Sequence, residues 1–183
     1  MKTLKLTKKD FKKTDNYWMD YIGKEDISNY DGNVEIEGGL GYVKFNSINI
    51  KGYLLARAGT GIKAGCGIKA GWDIEAGYGI EAGWGIEAGA GIKAGDGIKA
   101  GWGITCKKSL NIGLRIFAGL YLWRKPTKNE LEITCGKLES GEVCYGDLIE
   151  TGIEEDDDKV EITCEGKTVK ISRESAIALN LTK

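Results

Sequence analysis

Cysteine is the residue type in this chain with the most obvious chemical potential. The 183 residues include five cysteines and no histidine. No CxxC pair occurs, so the cysteine spacing indicates neither a redox motif nor a zinc ribbon. The absence of histidine excludes Ser-His and Cys-His nucleophile pairs and imidazole metal ligands. We therefore expect a protein that is not an enzyme, with no cofactor or metal, and with reduced, mostly buried thiols. Whether Cys106, Cys135, Cys144 and Cys164 cluster stays open.

Large aromatic residues form the first candidate binding surface. Trp72, Tyr78, Trp84 and Trp102 each follow a glycine in a repetitive central stretch. Exposed aromatic residues beside lysine and glutamate are typical of interface anchors, so we predict that they bind a partner. The alternative is a purely structural one, in which the rings stack and protect glycine-rich turns. The sequence does not decide between the two.

A run of acidic residues forms the second candidate surface, and its members are Glu154, Glu155, Asp156, Asp157 and Asp158. The run is a candidate contact for a basic partner surface. The alternative is a solvated loop between two strands. Its spacing lacks the glycine turn of a calcium-binding loop.

The aromatic residues must be positioned by a hexapeptide repeat. From Arg57 the chain reads RAGTGI, KAGCGI, KAGWDI, EAGYGI, EAGWGI, EAGAGI, KAGDGI, KAGWGI. In each Ile-Lys/Glu-Ala triplet, isoleucine and alanine share one face of a short strand, and the following glycines turn the chain. The repeated glycines therefore do not form a nucleotide-binding loop, which needs a longer strand and a helix. The pattern predicts a mainly β protein, a β-solenoid with isoleucine along its axis.

The signs of the charges predict how many hexads form one coil. Residues in adjacent coils stand about 4.8 Å apart, so like charges in register would repel. An 18-residue coil of three hexads pairs opposite charges throughout: Arg57–Glu75, Lys63–Glu81, Lys69–Glu87, Glu75–Lys93 and Glu81–Lys99. A 12-residue coil would place Arg57 on Lys69. We therefore predict a triangular solenoid whose corner residues form three columns, namely Cys66–Trp84–Trp102, Trp72–Ala90 and Thr60–Tyr78–Asp96.

The flanking sequence predicts caps on both sides of the solenoid. The six-residue phase extends upstream through Ala56 and Ile50, and downstream through Leu110 and Ile116. We predict an N-terminal cap at residues 1–42, the solenoid at 43–123, and a small β-rich module at 124–183. In this module, residues 131–135, 142–145, 160–164 and 168–171 are predicted antiparallel strands, followed by a helix at 173–179. Thr7 to Asp10 resembles a capping box that begins a short helix.

Charge and hydropathy restrict the classes of partner. The 26 basic and 27 acidic residues nearly cancel, so direct nucleic-acid binding is not expected. Residues 1–10 lack the apolar region of a signal peptide, and the longest apolar stretch, 116–123, is too short to span a bilayer. We expect a cytoplasmic protein that does not contact a membrane, and we leave a homodimer open.

Several known families resemble this chain in part. The hexads resemble the left-handed β-helix of hexapeptide-repeat acyltransferases, although that family uses a histidine base and favours small residues where Trp72, Tyr78, Trp84 and Trp102 stand. The 18-residue period also resembles bactofilin-like polymers, which implies a self-associating solenoid.

The GIKAG/GIEAG array, with Ser28-Asn29-Tyr30-Asp31-Gly32-Asn33 before it and Ile133-Thr134-Cys135-Gly136-Lys137-Leu138 after it, resembles uncharacterised proteins of anaerobic gut bacteria and their mobile elements. The length and setting are similar to those of anti-CRISPR proteins that inhibit type II effector nucleases. These resemblances imply a non-enzymatic solenoid that binds a host protein or nucleoprotein, with the type II CRISPR effector nuclease as the leading partner. A structural self-associating solenoid is the alternative, followed by an acyltransferase.

Overall fold

A computed structural model of the chain describes residues 1–14, 18–120, 124–152, 159–164 and 167–172. The chain forms two units, Met1–Ile153 and Glu154–Lys183. The first unit is a parallel β-solenoid of about six turns, which confirms the predicted mainly β fold class. The second unit contains an antiparallel pair of strands.

The strands of the first unit are β1 (Lys2–Leu6), β2 (Phe11–Lys13), β3 (Trp18–Tyr21), β4 (Gly32–Ile36), β5 (Gly41–Phe45), β6 (Ile48–Ile50), β7 (Leu54–Ala56), β8 (Thr60–Ala64), β9 (Ile68–Ala70), β10 (Ile74–Ala76), β11 (Ile80–Ala82), β12 (Ile86–Ala88), β13 (Ile92–Ala94), β14 (Ile98–Ala100), β15 (Ile104–Cys106), β16 (Ser109–Phe117), β17 (Glu132–Cys135), β18 (Lys137–Tyr145) and β19 (Asp147–Glu150). Short 3-10 helices lie at Lys8–Asp10 and Ile27–Asn29, and the helix α1 spans Lys128–Leu131. The second unit contains β20 (Lys159–Cys164) and β21 (Lys167–Ser172).

Three faces run along the solenoid, and each is a stack of hydrogen-bonded strands. Face 1 has the order β1-β4-β7-β10-β13, followed by the first half of β16 and then by β18. Face 2 has the order β2-β3-β5-β8-β11-β14, followed by the second half of β16 and then by β18, so that these two long strands each join two faces. Face 3 has the order β6-β9-β12-β15-β17-β19. Every pairing in these faces is parallel except β2 with β3.

The regular coils follow from the hexad. In β8, β11 and β14, Ile62, Ile80 and Ile98 are in register 18 residues apart, and all three are buried on the axis. The glycine directly after the alanine of a regular strand has no room for a side chain, as at Gly83, where a Cβ would lie 2.1 Å from the carbonyl oxygen of Gly65. Burial of one isoleucine side chain contributes about 1.5–3 kcal/mol, so the repeated column is the main stabilising feature.

Ion pairs between neighbouring coils confirm the predicted 18-residue spacing. Lys63 Nζ lies 3.2 Å from Glu81 Oε2, and Lys69 Nζ lies 2.8 Å from Glu87 Oε1. A third pair joins Lys93 to Glu75 at 3.0 Å. Glu81 also lies beside Lys99 in register, as predicted. These ion pairs add little to the free energy of unfolding, and their main effect is to favour the observed register between neighbouring coils.

The predicted pair Arg57–Glu75 is wrong. Two extra residues enlarge the corner before Ile62, so Leu54 is in register with Ile74, 20 residues away, and Leu55 lies beside Glu75. Arg57 instead donates to Glu35 Oε2 at 2.9 Å. The upstream phase is corrected accordingly, since Ala56 and its counterpart Ile50 occupy the alanine position of their strands rather than the isoleucine position.

Parallel pairing continues beyond residues 43–123 on both sides. On the N-terminal side β1 and β4 extend face 1, and on the C-terminal side β17 and β19 extend face 3. The predicted antiparallel arrangement is therefore wrong for residues 131–135 and 142–145, because β17 and β18 run parallel to their neighbours in the solenoid. It is confirmed for β20 and β21. The predicted helix at residues 173–179 lies outside the described residues.

The capping box predicted at Thr7 is present at the 3-10 helix Lys8–Asp10. Asp10 Oδ2 accepts a hydrogen bond of 2.7 Å from the Thr7 N–H. Among the residues that the structure describes, no helix has the length and apolar character needed to cross a membrane.

Candidate functional site

The corner between faces 2 and 3 carries the predicted column of Cys66, Trp84 and Trp102. The backbone confirms this stacking, because the Trp84 N–H donates to Cys66 O at 3.2 Å and the Trp102 N–H donates to Trp84 O at 3.4 Å. The two indole rings are nearly parallel, with 6° between their planes and 5.3 Å between their centroids. We call this pair the Trp stack.

Trp84 remains 46% exposed although Trp102 covers one of its ring faces. The coil on the other side contributes the much smaller Cys66, which is half-buried. The indole of Trp84 therefore presents apolar surface on a rigid backbone. A stacked aromatic pair of this kind is stabilising and at the same time available to a partner.

A groove of about 400 Å³ adjoins the Trp stack and crosses four coils of face 3. The groove is lined by Ser47, Ile48, Asn49, Gly67, Ile68, Lys69, Trp84, Gly85, Ile86, Glu87, Trp102, Gly103 and Thr105. The indoles supply apolar surface, and the ion pair of Lys69 with Glu87 supplies charge on the outer surface of face 3. We call this feature the Trp groove. Its lining suits a partner that brings both apolar and polar groups.

Trp72 and Tyr78 lie at the other two corners, as the predicted columns require. The Ala90 N–H donates to Trp72 O at 3.2 Å, and the Tyr78 N–H donates to Thr60 O at 3.1 Å. Trp72 is 60% exposed, and its neighbour in the next coil is only an alanine. The four aromatic residues therefore do not form one surface, and the solenoid brings together only Trp84 and Trp102.

Tyr78 belongs to a second aromatic cluster that the sequence analysis missed. Its ring lies 6.1 Å from that of Tyr42, which in turn contacts Trp18 at 5.4 Å between centroids. Lys63 Nζ lies 4.0 Å from the centroid of the Trp18 ring, a cation–π distance. The sequence feature that could have indicated this cluster is Tyr42, a large aromatic residue shortly before the hexads. In the structure it stands in register with Gly61.

Tyr42 has a packing role in this cluster. A Cβ on Gly61 would lie 2.5 Å from the Tyr42 ring, so the ring fills the space that the glycines leave open. Partial burial raises the pKa of Tyr42. Thr60 also has a structural role, since it is fully buried and its hydroxyl donates to Glu37 O at 2.8 Å.

The acidic run Glu154–Asp158 lies outside the described residues. Its predicted role in partner binding stays a prediction.

Two of the cysteines meet inside the solenoid. Ile104 and Thr105 are in register with Ile133 and Thr134, so Cys106 and Cys135 are neighbours on the axis. Burial raises the pKa of both thiols, that of Cys106 to about 12. Both thiols are therefore protonated at neutral pH and poor nucleophiles. Within the described ranges, no group of three or more Cys, Asp or Glu residues is arranged to hold a metal ion.

Comparison with protein-family models, with curated proteins and with solved structures gave no match to this chain.

Proposed function

We propose that this β-solenoid acts by binding another protein, and that the Trp groove is its contact site. The observation that carries the proposal is the Trp stack, in which the indole of Trp84 stays 46% exposed beside a groove on a rigid backbone. Large aromatic anchors supply most of the binding energy in protein interfaces. Because the backbone is already ordered, binding costs little conformational entropy on this side.

The groove also offers the polar groups that a specific interface needs. Asn49, Lys69, Glu87 and Thr105 occupy the outward positions of four consecutive strands on face 3. A partner segment along the solenoid axis would contact one of these side chains about every 4.8 Å. Such a row fixes the register of a bound segment, whereas the indoles supply affinity.

The proposal is of binding rather than catalysis. The sequence contains no histidine, and the high pKa of Cys106 keeps that thiol protonated at neutral pH. The exposed residues of the Trp groove are those of an interface rather than of a general acid–base site.

We further propose that the partner is a host defence protein or nucleoprotein, and specifically a type II CRISPR effector nuclease inhibited on behalf of a mobile element. Support for this finer identity comes from the resemblance to proteins of mobile elements and from the acidic run at residues 154–158, which suits a basic nuclease surface.

The test is a capture experiment with matched tryptophan variants. Tagged wild-type protein, the double variant Trp84→Ala/Trp102→Ala and the single variant Trp72→Ala are incubated with lysate of a CRISPR-bearing bacterial host. Nuclease-treated and untreated lysates are compared. We expect one stoichiometric partner on the wild type and on Trp72→Ala, and at least a tenfold loss of affinity, about 1.4 kcal/mol or more, for the double variant.

Circular dichroism and thermal unfolding verify that each variant is folded. Equal capture by the folded double variant would show that the Trp groove is not the contact site. Capture of a partner other than a nuclease would contradict the proposed nuclease partner, but it would still support the Trp groove as the contact site. If no partner of the tagged chain is found other than itself, the proposed function is wrong.

A further inference from the structure

A second groove lies on the other side of the Trp stack, on face 2. It has a volume of about 230 Å³, and it is lined by Lys63, Ala64, Gly65, Glu81, Ala82, Gly83, Lys99, Gly101 and Leu120. Its three glycines directly precede the residues of the corner column, Cys66, Trp84 and Trp102, so the Trp stack lies between this groove and the Trp groove. We call this second feature the face 2 groove.

The face 2 groove has one surplus positive charge. The outward positions of β8, β11 and β14 are Lys63, Glu81 and Lys99. The Glu81 carboxylate is already paired with Lys63, whose Nζ lies 3.2 Å away. Lys99 is exposed, and within the described part of the chain its side chain forms no ion pair and no hydrogen bond. The Trp groove differs in this respect, because its two charged residues, Lys69 and Glu87, pair with each other.

The other charged groups near Lys99 do not neutralise it. Arg115 on β16 is in register with Glu142 on β18, and these two opposite charges balance each other. Asp96 stands three residues before Lys99, at the corner between faces 1 and 2, and among the residues that the structure describes no ion pair joins the two side chains. A partner that approaches the face 2 groove therefore meets a net positive charge at Lys99.

The outward row of face 2 changes from charged to aromatic directly after Lys99. In β8, β11 and β14 this position holds lysine or glutamate, whereas Phe117 and Tyr145 occupy it on β16 and β18. Phe117 is half-buried, Tyr145 is exposed, and Leu120 at the edge of the groove is exposed as well. Residues of an outward row do not fill the axis of the solenoid, and exposed apolar patches of this kind mark interaction sites.

We propose that the face 2 groove binds a segment of the partner protein in which a carboxylate stands beside apolar side chains. The carboxylate of an aspartate or glutamate pairs with the Lys99 ammonium group, and the apolar side chains contact Leu120 and Phe117. The inference rests on the proposed function, because it extends the contact with the same partner from the Trp groove across the Trp stack. A phosphate would also pair with Lys99, but the aromatic row favours a protein segment over a nucleic acid.

NMR titration of the full chain with two matched peptides tests this site. Both peptides are acetylated and amidated at their ends. One has the sequence Leu-Glu-Leu-Phe, and the other has glutamine in place of glutamate. We expect the glutamate peptide to shift the backbone amide signals of Lys99, Gly101 and Leu120, and the glutamine peptide to bind about threefold to fivefold more weakly, as the loss of one exposed ion pair predicts. Equal affinities, or no shift of these signals, would overturn the proposal.

Lysine variants identify the group that recognises the carboxylate. We expect Lys99→Gln to bind both peptides equally, and Lys99→Arg to keep the preference for the glutamate peptide. The matched control is Lys93→Gln, which removes one positive charge from the outward row of face 1, where Lys93 is paired with Glu75. This control should keep the preference. A preference that survives in Lys99→Gln, or that is lost in Lys93→Gln, would overturn the proposal.

A single-stranded oligothymidylate tests the other class of partner. If it shifts the signals of Lys99 and Leu120 at lower concentration than the glutamate peptide does, the groove prefers a nucleic acid and the proposal is wrong.

The peptide titration and the capture experiment fail independently of each other. Loss of capture in Trp84→Ala/Trp102→Ala, together with equal affinities for the two peptides, would support the Trp groove and overturn the inference about the face 2 groove. Unchanged capture by that folded variant, together with a preference for the glutamate peptide that depends on Lys99, would contradict the Trp groove and support the face 2 groove as a contact site.

Discussion

The two ends of the solenoid differ in how well the side chains of the terminal coil are covered. At the N-terminal end Phe11 is only 5% exposed and contacts the rings of Tyr21 and Phe45 at 5.7 and 5.8 Å. Leu6 and Ile27, in the same coil, are also buried. At the C-terminal end the last coil leaves Tyr145, Leu148 and Ile149 between 38% and 42% exposed.

The difference shows what a cap must supply. Each coil covers the axial side chains of the coil before it, as β19 covers Ile133, which is fully buried. The last coil has no further coil to cover its own side chains. The aromatic rings at the N-terminal end are large enough to close the axis, so a cap depends on side-chain volume and not on backbone pairing alone.

The largest expected effect is the removal of the ring that closes the N-terminal end. We expect Phe11→Ala to lower the free energy of unfolding by about 3–5 kcal/mol, because a buried ring is lost and a cavity remains. The matched change at the open end, Tyr145→Ala, should cost less than about 1 kcal/mol. Urea unfolding followed by circular dichroism measures both. Equal losses would mean that the two ends are equally well packed.

A second pair of variants makes the same comparison with one residue type on one face. Ile27 lies beneath the N-terminal end of face 3, and Ile149 lies on its C-terminal strand. We expect Ile27→Ala to cost about 2–5 kcal/mol and Ile149→Ala less than about 1 kcal/mol. The same unfolding measurement applies. A large loss for Ile149→Ala would show that this side chain is covered in solution.

The smallest effect concerns a partly buried carboxylate, that of Glu130, toward the C-terminal end. The Arg124 guanidinium donates to Glu130 at 2.7 Å, and the Thr127 N–H also donates to it, which together lower the pKa of Glu130 from 4.5 to about 2. At the N-terminal end, the Ser28 hydroxyl and N–H lower the pKa of Asp26 in the same way.

The direction of the pH effect follows from the lowered pKa. The ionised form of Glu130 stabilises the fold above about pH 4.5, and this contribution is lost as the pH falls toward 2. We expect Arg124→Ala to return the pKa of Glu130 toward 4.5, as measured by NMR titration of the side-chain carboxyl. Arg115→Ala is the control and should leave this pKa unchanged. No shift in Arg124→Ala would mean that the Thr127 N–H alone lowers it.

Much of the regular part of the fold could be predicted because the sequence repeats its own constraints. The alternating Ile-x-Ala triplets predicted short strands, and the signs at Lys63, Glu81 and Lys99 predicted the 18-residue coil. Both inferences depend on residues that stand in register on neighbouring coils. The hexad count failed at Arg57 because Ala56 lies six residues before Ile62 by coincidence, while the corner between them is two residues longer than the regular one.

The candidate site was only partly predictable. The period placed Trp84 over Trp102 and separated both from Trp72 and Tyr78, and the structure confirms this arrangement. It could not place Trp18 or Tyr42, because both residues precede the hexads. Trp18 reaches Tyr42 through the pairing of β3 with β5, and Tyr42 reaches Tyr78 through the pairing of β5 with β8. The Trp groove was not predicted, since it depends on how much of each indole remains uncovered.

The sequence by itself determined the period, the axial isoleucines and the columns at the corners, because each depends on contacts that repeat every 18 residues. Only the tertiary structure decided the direction of the strands beyond the hexads. Residues 132–145 alternate in the same way whether a strand runs parallel or antiparallel, and pairing with β15 and β16 selected parallel. It also decided which end is closed, because closure depends on whether Phe11 and Ile27, distant in sequence from the hexads, pack onto the end of the core or leave it exposed.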